Sequence, residues 1–250
     1  MILITGASSG IGEATAETFA RAGAPLVLWA RRLERLEAVK IRCLELGAAQ
    51  VHVASLDVRD PKAIHHEIST HQEIYSSLTV LVNNAGLARG LSTFQDADPS
   101  DFEAMIDTNI KGFLNVTKAV LPGFLKKNHG HLVHLGSVAG RWNYPKGHVY
   151  CATKAAVKAL SEGIRMDLNG TAIRVTEIAP GMVDTEFSTV RLGDADRAKG
   201  VYAGMTPLLA SDIADAIHWC ATRPPHVNIQ EMVIYPVDQA SPTLVSRRGL

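Results

Sequence analysis

The 250-residue sequence predicts an α/β fold, one doubly wound parallel sheet flanked by helices on both faces, and three observations carry the prediction. Short apolar runs of strand type alternate with longer helical patterns, the arrangement that builds a parallel sheet covered on each side. The chain opens with a strand, a glycine-rich turn and a helix start. No internal repeat, low-complexity tract or Gly/Ser/Pro linker divides it, and α/β folds of this size often form one unit, so a single domain over 1–250 is expected.

The first strand, Ile2-Leu3-Ile4, passes directly into Thr5-Gly6-Ala7-Ser8-Ser9-Gly10-Ile11-Gly12. Glycines there permit positive φ and close approach of a ligand, and the free N–H groups of a helix start attract phosphate. The spacing G-x-x-x-G-x-G departs from G-x-G-x-x-G but puts glycines in the same three physical roles. The turn is thus a pyrophosphate site or, in the plainer reading, a tight connection with no ligand. A second strand, Leu26-Val27-Leu28-Trp29-Ala30, ends in Arg31-Arg32, with no Asp or Glu where an NAD ribose would want one. Paired guanidinium groups suit a 2′-phosphate and favour NADP(H) over NAD; the alternative is two surface arginines at a helix start, where cations oppose the helix dipole.

A third strand, Val51–Leu56, leads to Asp57-Val58, and Asp60-Pro61 reads as an N-cap followed by Pro at the first helical position. His65, His66 and His71 sit among Glu, Ser and Thr and read as a solvated helix face; no metal site is expected. The fourth strand, Leu78–Val82, ends in Asn83-Asn84-Ala85-Gly86, the kind of turn that lines the ligand crevice of an open parallel sheet. Further strands are expected near 131–135, 173–179 and 232–235, and helices near 99–127, 148–169 and 211–221. The segment 184–210, rich in Gly, Asp and Arg after Pro180-Gly181, is either a lid over a substrate or an excursion packed on a neighbouring subunit. Residues 246–250 read as a polar tail or a subunit contact.

Chemistry enters with Gly136-Ser137 and with Tyr150-Cys151-Ala152-Thr153-Lys154. Tyr150 and Lys154 are four residues apart and project from one helix face, one turn above the other. A free phenol has a pKa of about 10, and a nearby ammonium favours its ionised form. Tyr150 becomes an acid/base, Ser137 a hydroxyl partner, and the set points to carbonyl/alcohol redox chemistry.

Together the glycine turn, Asp57, Asn83-Asn84-Ala85-Gly86, Asn109, Ser137, Tyr150, Lys154 and Pro180-Gly181 resemble the short-chain dehydrogenase/reductase family, through nearly the whole chain. Ala85-Gly86-Leu87-Ala88, Asn128-His129-Gly130-His131, Thr185-Glu186-Phe187-Ser188 and Val190-Arg191 are similar to its NADP-dependent 3-hydroxy acid dehydrogenase (serine dehydrogenase) branch. The resemblance implies a Rossmann-like fold and a catalytic set of Asn109, Ser137, Tyr150 and Lys154. Tyr150 would move the proton, Ser137 would hold the reacting oxygen, Lys154 would bind nicotinamide-ribose hydroxyls and tune Tyr150, and Asn109 would hold a water linking Lys154 to solvent. It gives the pyrophosphate to the turn of Gly6, Ser8, Ser9, Gly10, Ile11 and Gly12. It gives Asp57 and Val58 to the adenine, Asn83, Ala85 and Gly86 to the ribose, and Pro180, Gly181, Val183 and Thr185 to the nicotinamide. A homotetramer packed through long helices is implied as well.

The loop 140–148 should border the pocket, where Arg141, His148 or Arg191 could pair with a substrate carboxylate and Tyr144 could line the wall. A small 3-hydroxy acid, or the matching semialdehyde, is the expected substrate. Arg141 departs from the small residue expected in that branch. The rivals are a 3-oxoacyl-carrier-protein reductase, a broad NADPH carbonyl reductase and, outside catalysis, an NADPH-binding sensor. Lys+Arg and Asp+Glu balance at 25 each, so no net field draws the chain to nucleic acid or anionic membrane. No apolar run is long enough to span a bilayer, and a first strand at Ile2 leaves no room for a signal peptide, so a cytoplasmic protein is expected. Cys43, Cys151 and Cys220 lack metal-like spacing and suggest no disulfide framework; Cys151 reads as a small buried apolar residue.

Overall fold

The computed structural model describes residues 1–248. Strand β1 (Ile2–Thr5) enters helix α1 (Gly10–Arg21), followed by β2 (Leu26–Ala30), α2 (Leu33–Glu45), β3 (Val51–Ser55), α3 (Pro61–Thr70), α4 (Gln72–Ser76) and β4 (Val80–Asn83). Then come α5 (Pro99–Ile106), α6 (Phe113–Lys127), β5 (Gly130–Leu135), α7 (His148–Asp167) and β6 (Ile173–Pro180). A short excursion of β7 (Val183–Asp184), α8 (Phe187–Leu192), α9 (Ala195–Gly200) and β8 (Leu208–Leu209) precedes α10 (Ala210–Ala221) and β9 (Glu231–Ile234).

Seven strands form one sheet in the order β3-β2-β1-β4-β5-β6-β9, every neighbouring pair parallel. Every residue of β1 and β2 is buried, which is why these strands read as unbroken apolar runs. Successive side chains go to opposite faces: Ile4 joins Phe19, Leu28 and Ile213, whereas Leu3 joins Trp29, Leu81 and Phe124. Burying one such side chain contributes on the order of 2 kcal/mol. Asp60 caps α3, accepting hydrogen bonds from the N–H groups of Lys62 and Ala63, with Pro61 at the first helical position.

The chain runs outward from β1 through β2 to β3, then returns to the other side of β1 with β4. The turns after β1 and β4 therefore diverge and leave a crevice at the C-terminal ends of the strands.

Two expectations need correction. The helix expected over 99–127 is interrupted by a wider π turn at Asp107–Gly112, which separates α5 from α6. Asn109 lies in that turn and reaches across to Leu87, a contact no helical periodicity reports. The segment 246–250 is not a loose tail as far as it is described: Arg247 donates to the carbonyls of Val201 and Ala203, and Arg248 pairs with Asp238 at 3.0 Å. Gly249 and Leu250 lie outside the described residues. These arginines tie the chain end to the base of the 184–210 excursion, whose two ends are joined by pairing of β7 with β8. Among the described residues no helix is long and apolar enough to cross a membrane.

Candidate active site

A cavity of about 340 Å³ occupies the crevice. Its floor is the glycine turn, where Gly6 has φ +66° and a Cβ on Gly12 would lie 2.4 Å from the Gly6 carbonyl oxygen. Gly12 lies behind the turn and lets α1 start this close to β1, while Gly6, Ser8, Ser9, Gly10 and Ile11 face the cavity. Ser9 precedes α1 at the N-cap position, yet its hydroxyl accepts from Arg32 at 2.9 Å and caps nothing. The first helical N–H groups are thereby left to an anion.

Arg32 also donates to the Ser8 hydroxyl at 3.1 Å, and Arg31 faces the same cavity. Arg35, one helical turn further on and missed in the sequence, shares Glu186 with Arg32: Arg35 Nη1 lies 2.7 Å from Oε1 and Arg32 Nη1 lies 3.3 Å from Oε2. The hydrogen bond from Arg35 holds the Glu186 carboxyl below its usual range. The i+3 spacing of Arg32 and Arg35 was the available signal.

Asp57 and Val58 border the cavity on the side of β3. Asp57 is engaged by Arg59, whose hydrogen bonds hold the carboxyl below its usual range. Ala85 and Gly86 line the cavity as expected, but Asn83 does not. Its amide donates to the Phe113 carbonyl at 3.1 Å and to the Thr117 hydroxyl at 2.9 Å, fastening β4 to α6. Asn84 is the member of the pair that lines the cavity, and it donates to the carbonyls of Thr5 and Gly6.

Ser137, Tyr150 and Lys154 meet at the inner end of the cavity, with Pro180, Gly181, Val183 and Thr185 opposite. Lys154 Nζ donates to the Leu135 carbonyl at 2.8 Å and lies 6.0 Å from the Tyr150 ring centre. Burial pushes the Tyr150 phenol up, opposed by the neighbouring Ser137 hydroxyl and by the Arg191 charge. Asn109 is buried beside them: its Oδ1 accepts from Leu87 N–H, and both Nδ2 protons are used, one donated to the Leu87 carbonyl and one to the Thr153 hydroxyl. It ties the Gly86-Leu87 edge to α7.

Burial lowers the Lys154 ammonium to about 8, with Glu177 opposing the shift. The unfolded chain holds this proton to about 10.4, so between the two values the unfolded state binds more protons and stability rises with pH. The buried charge is thus destabilising in full below pH about 8. Lys154→Met is expected to raise the urea midpoint at neutral pH, with the gain shrinking as pH rises toward the unfolded value. Equal midpoints at neutral pH would refute the desolvation account.

A second cavity of about 220 Å³ adjoins Ser137 and Tyr150 and is walled by Tyr144, Phe187, Arg191 and Tyr202. Arg191 Nη1 donates to the Tyr144 hydroxyl at 2.9 Å, its Nε donates to the Gly90 carbonyl, and the guanidinium carbon lies 5.6 Å from the Tyr150 ring centre. Phe187 packs on Tyr150 with ring centres 5.6 Å apart. The 184–210 excursion therefore covers the inner end of both cavities.

Arg141 and His148 are corrections. Arg141 lies against Glu177 at 2.9 Å and Glu231 at 2.7 Å, where it is bound beneath the Ser137 loop rather than presented to a substrate. His148 bonds the Ser92 carbonyl through Nε2 and packs edge-on against the stacked pair Phe94 and Phe102. His65 and His66 are exposed, as expected, and His71 is half-buried. Glu67 Oε1 accepts from His52 and Tyr75, each at 2.8 Å, while His71 Nδ1 bonds the Glu67 backbone carbonyl at 3.2 Å and lies 3.1 Å from Oε1, a network joining α3 to the edge strand β3. All three cysteines are free and buried, and burial raises Cys43 and Cys220 to about 11.

The profile of the family described as short chain dehydrogenase matches residues 1–194. A sulfoacetaldehyde reductase 2 of Chromohalobacter salexigens is 47% identical over 242 residues, 96% of this chain and 95% of that one. An NADP-dependent 3-hydroxy acid dehydrogenase of Escherichia coli K12 is 43% identical over 242 residues, 96% of each chain. Among solved structures, the closed form of serine dehydrogenase complexed with NADP+ is similar at a TM-score of 0.92 and 43% identity, over 99% of both chains.

Proposed function

The chain belongs to the short-chain dehydrogenase family, and from that premise we propose that it is an NADP(H)-dependent oxidoreductase interconverting the alcohol and carbonyl of a small acid, with a 3-hydroxy acid as first choice. The observation that carries the substrate class is Arg191, a guanidinium held by Tyr144 in the cavity that opens on Ser137 and Tyr150. The cofactor fits the larger cavity: uncapped helix N–H groups face a pyrophosphate, and Arg31 and Arg32 with two serine hydroxyls face a 2′-phosphate.

When bound, the nicotinamide supplies or accepts the hydride. Tyr150 gives its proton to the carbonyl oxygen during reduction and accepts one during oxidation. Ser137 holds that oxygen, Lys154 binds the nicotinamide ribose, and Asn109 positions the Gly86-Leu87 edge. Of the residues lining the cavity, Asp57 and Val58 would hold the adenine, Ala85 and Gly86 with Asn84 the ribose, and Pro180, Gly181, Val183 and Thr185 the nicotinamide.

A second reading, a short sulfonate in place of the carboxylate, is favoured by the sulfoacetaldehyde reductase relatives, since either anion suits one guanidinium. A carrier-protein reductase is less well supported. Arg141, which a basic docking surface would need, is buried in ion pairs with Glu177 and Glu231. The same reading takes the protein as a cytoplasmic homotetramer. Its three free cysteines fit a reducing compartment, and exposed Ile106, Leu114 and Leu125 on the α5–α6 region suit packing between copies.

The test is the initial rate of NADPH formation at mildly alkaline pH, with NADP and a panel of 3-hydroxy acids, their methyl esters and 2-hydroxyethanesulfonate. Strong preference for the acids over the esters is expected. Indifference to the charge would overturn the acid-substrate reading, and a preference for the sulfonate would favour the second.

A further inference from the structure

A carboxylate of this chain is paired with Arg32, one of the two arginines to which the NADP(H) reading gives the 2′-phosphate, and with Arg35 beside it. Arg35 Nη1 donates to both oxygens of Glu186, at 2.7 and 2.9 Å, and Arg32 Nη1 donates to one at 3.3 Å. The remaining Arg32 contacts go to Ser8 and Ser9, so this guanidinium is aimed at the glycine turn by hydroxyls and held from the far side by Glu186. Glu186 belongs to the excursion that covers the site, not to the turn or to β2. Its neighbours in the chain are placed with equal consequence. Thr185 lies against Gly10, where an added Cβ would meet it at 3.3 Å. Phe187 packs on Tyr150. Three consecutive residues thus touch the phosphate-binding arginines, the pyrophosphate turn and the phenol.

We propose that Glu186 is an internal competitor for the 2′-phosphate, and that exchange of its carboxylate for the phosphate on Arg32 and Arg35 couples recognition of the cofactor to the placement of Phe187 over Tyr150. The proposal rests on the NADP(H) reading. A phosphate monoester brings a charge of about −1.5 to −2 and three acceptor oxygens, whereas Glu186 brings one carboxylate on a partly exposed surface. The phosphate prevails, but only after displacing a group already paired with both guanidinium ions. The free arginines would otherwise repel one another, so Glu186 also keeps the site assembled before the cofactor arrives. A dinucleotide without the 2′-phosphate leaves the Glu186 pairs intact and does not release the start of the excursion. By linkage, whatever the phosphate does to the excursion, the excursion does in equal measure to phosphate affinity.

The experiment is equilibrium binding of 2′,5′-ADP and of 5′-AMP, by calorimetry, to wild type, Glu186→Gln and Glu34→Gln. Glu34 is an exposed acid in the same stretch that forms no ion pair with Arg32 or Arg35 among the described residues. Glu186→Gln is expected to tighten 2′,5′-ADP by roughly fivefold to tenfold, within the usual range of such couplings, and to leave 5′-AMP unchanged. Glu34→Gln is expected to change neither. An unchanged or weakened affinity of Glu186→Gln for 2′,5′-ADP overturns the proposal, as does an equal gain in Glu34→Gln, which would reduce the effect to a general field. Wild-type protein that does not prefer 2′,5′-ADP over 5′-AMP overturns the NADP(H) reading itself and the proposal with it; a clear wild-type preference with no Glu186 effect overturns the proposal alone.

Discussion

Tyr150→Phe is expected to lower kcat by roughly 10²–10⁴-fold, the usual weight of a positioned acid/base, while leaving cofactor affinity unchanged. The substitution keeps the ring, its contact with Phe187 and its place under the Arg191 guanidinium, and removes only the hydroxyl. Burial disfavours the phenolate more than Ser137 and Arg191 favour it, so in the cofactor-free protein Tyr150 is a neutral phenol. That is the form needed to donate a proton to a carbonyl. Alcohol oxidation needs the phenolate, which a positive charge brought close to the hydroxyl would favour. The oxidation rate of the wild type should therefore climb with pH, and reduction should not. Measuring kcat against pH in both directions checks this. A Phe variant within tenfold of wild type at its optimum would remove Tyr150 from the proton transfer.

Arg191→Ala is expected to raise KM for the acid substrate by roughly 10- to 150-fold, with little change in kcat. The magnitude follows from about 1.5–3 kcal/mol for a hydrogen bond to a charged group, at 1.4 kcal/mol for each factor of ten. The methyl ester of the same substrate should show no such rise. Arg191 also holds the Gly90 carbonyl and packs on Tyr144, so a purely structural loss could imitate part of the effect. Arg191→Lys separates the two: it keeps the charge and most of the stem while giving up the planar donor fork, and an intermediate KM is expected. An equal rise for acid and ester in the Ala variant would assign Arg191 to the architecture of the lid and not to the substrate.

Much of the site was legible because it is local. The strand-turn-helix of residues 2–21 is contiguous in sequence, and its glycines report a backbone requirement that no distant residue supplies. Tyr150 and Lys154 lie one turn apart on a single helix, so their juxtaposition follows from helical geometry alone. Other errors came from parity and range. Asn83 and Asn84 adjoin at the end of β4, where side chains alternate between opposite sides, and composition does not say which faces the cavity. Asn109 carried the right neighbourhood but not the π turn it occupies or its bonds to Leu87, 22 residues away.

The sequence by itself determined the doubly wound sheet, the glycine turn, the paired arginines after β2 and the phenol–ammonium pair, because each is written in spacings of a few residues. Only the tertiary structure decided which charges are free for chemistry. Arg141 looked as available as Arg191, but its carboxylate partners Glu177 and Glu231 lie 36 and 90 residues away on β6 and β9. Glu186 entered only as part of a motif shared with relatives, and its charge partner came from the excursion, which brings it 151 residues back to Arg35. A buried charge is governed by whichever opposite charge the fold sets within a few ångströms of it, and that pairing depends on the path of the chain through space.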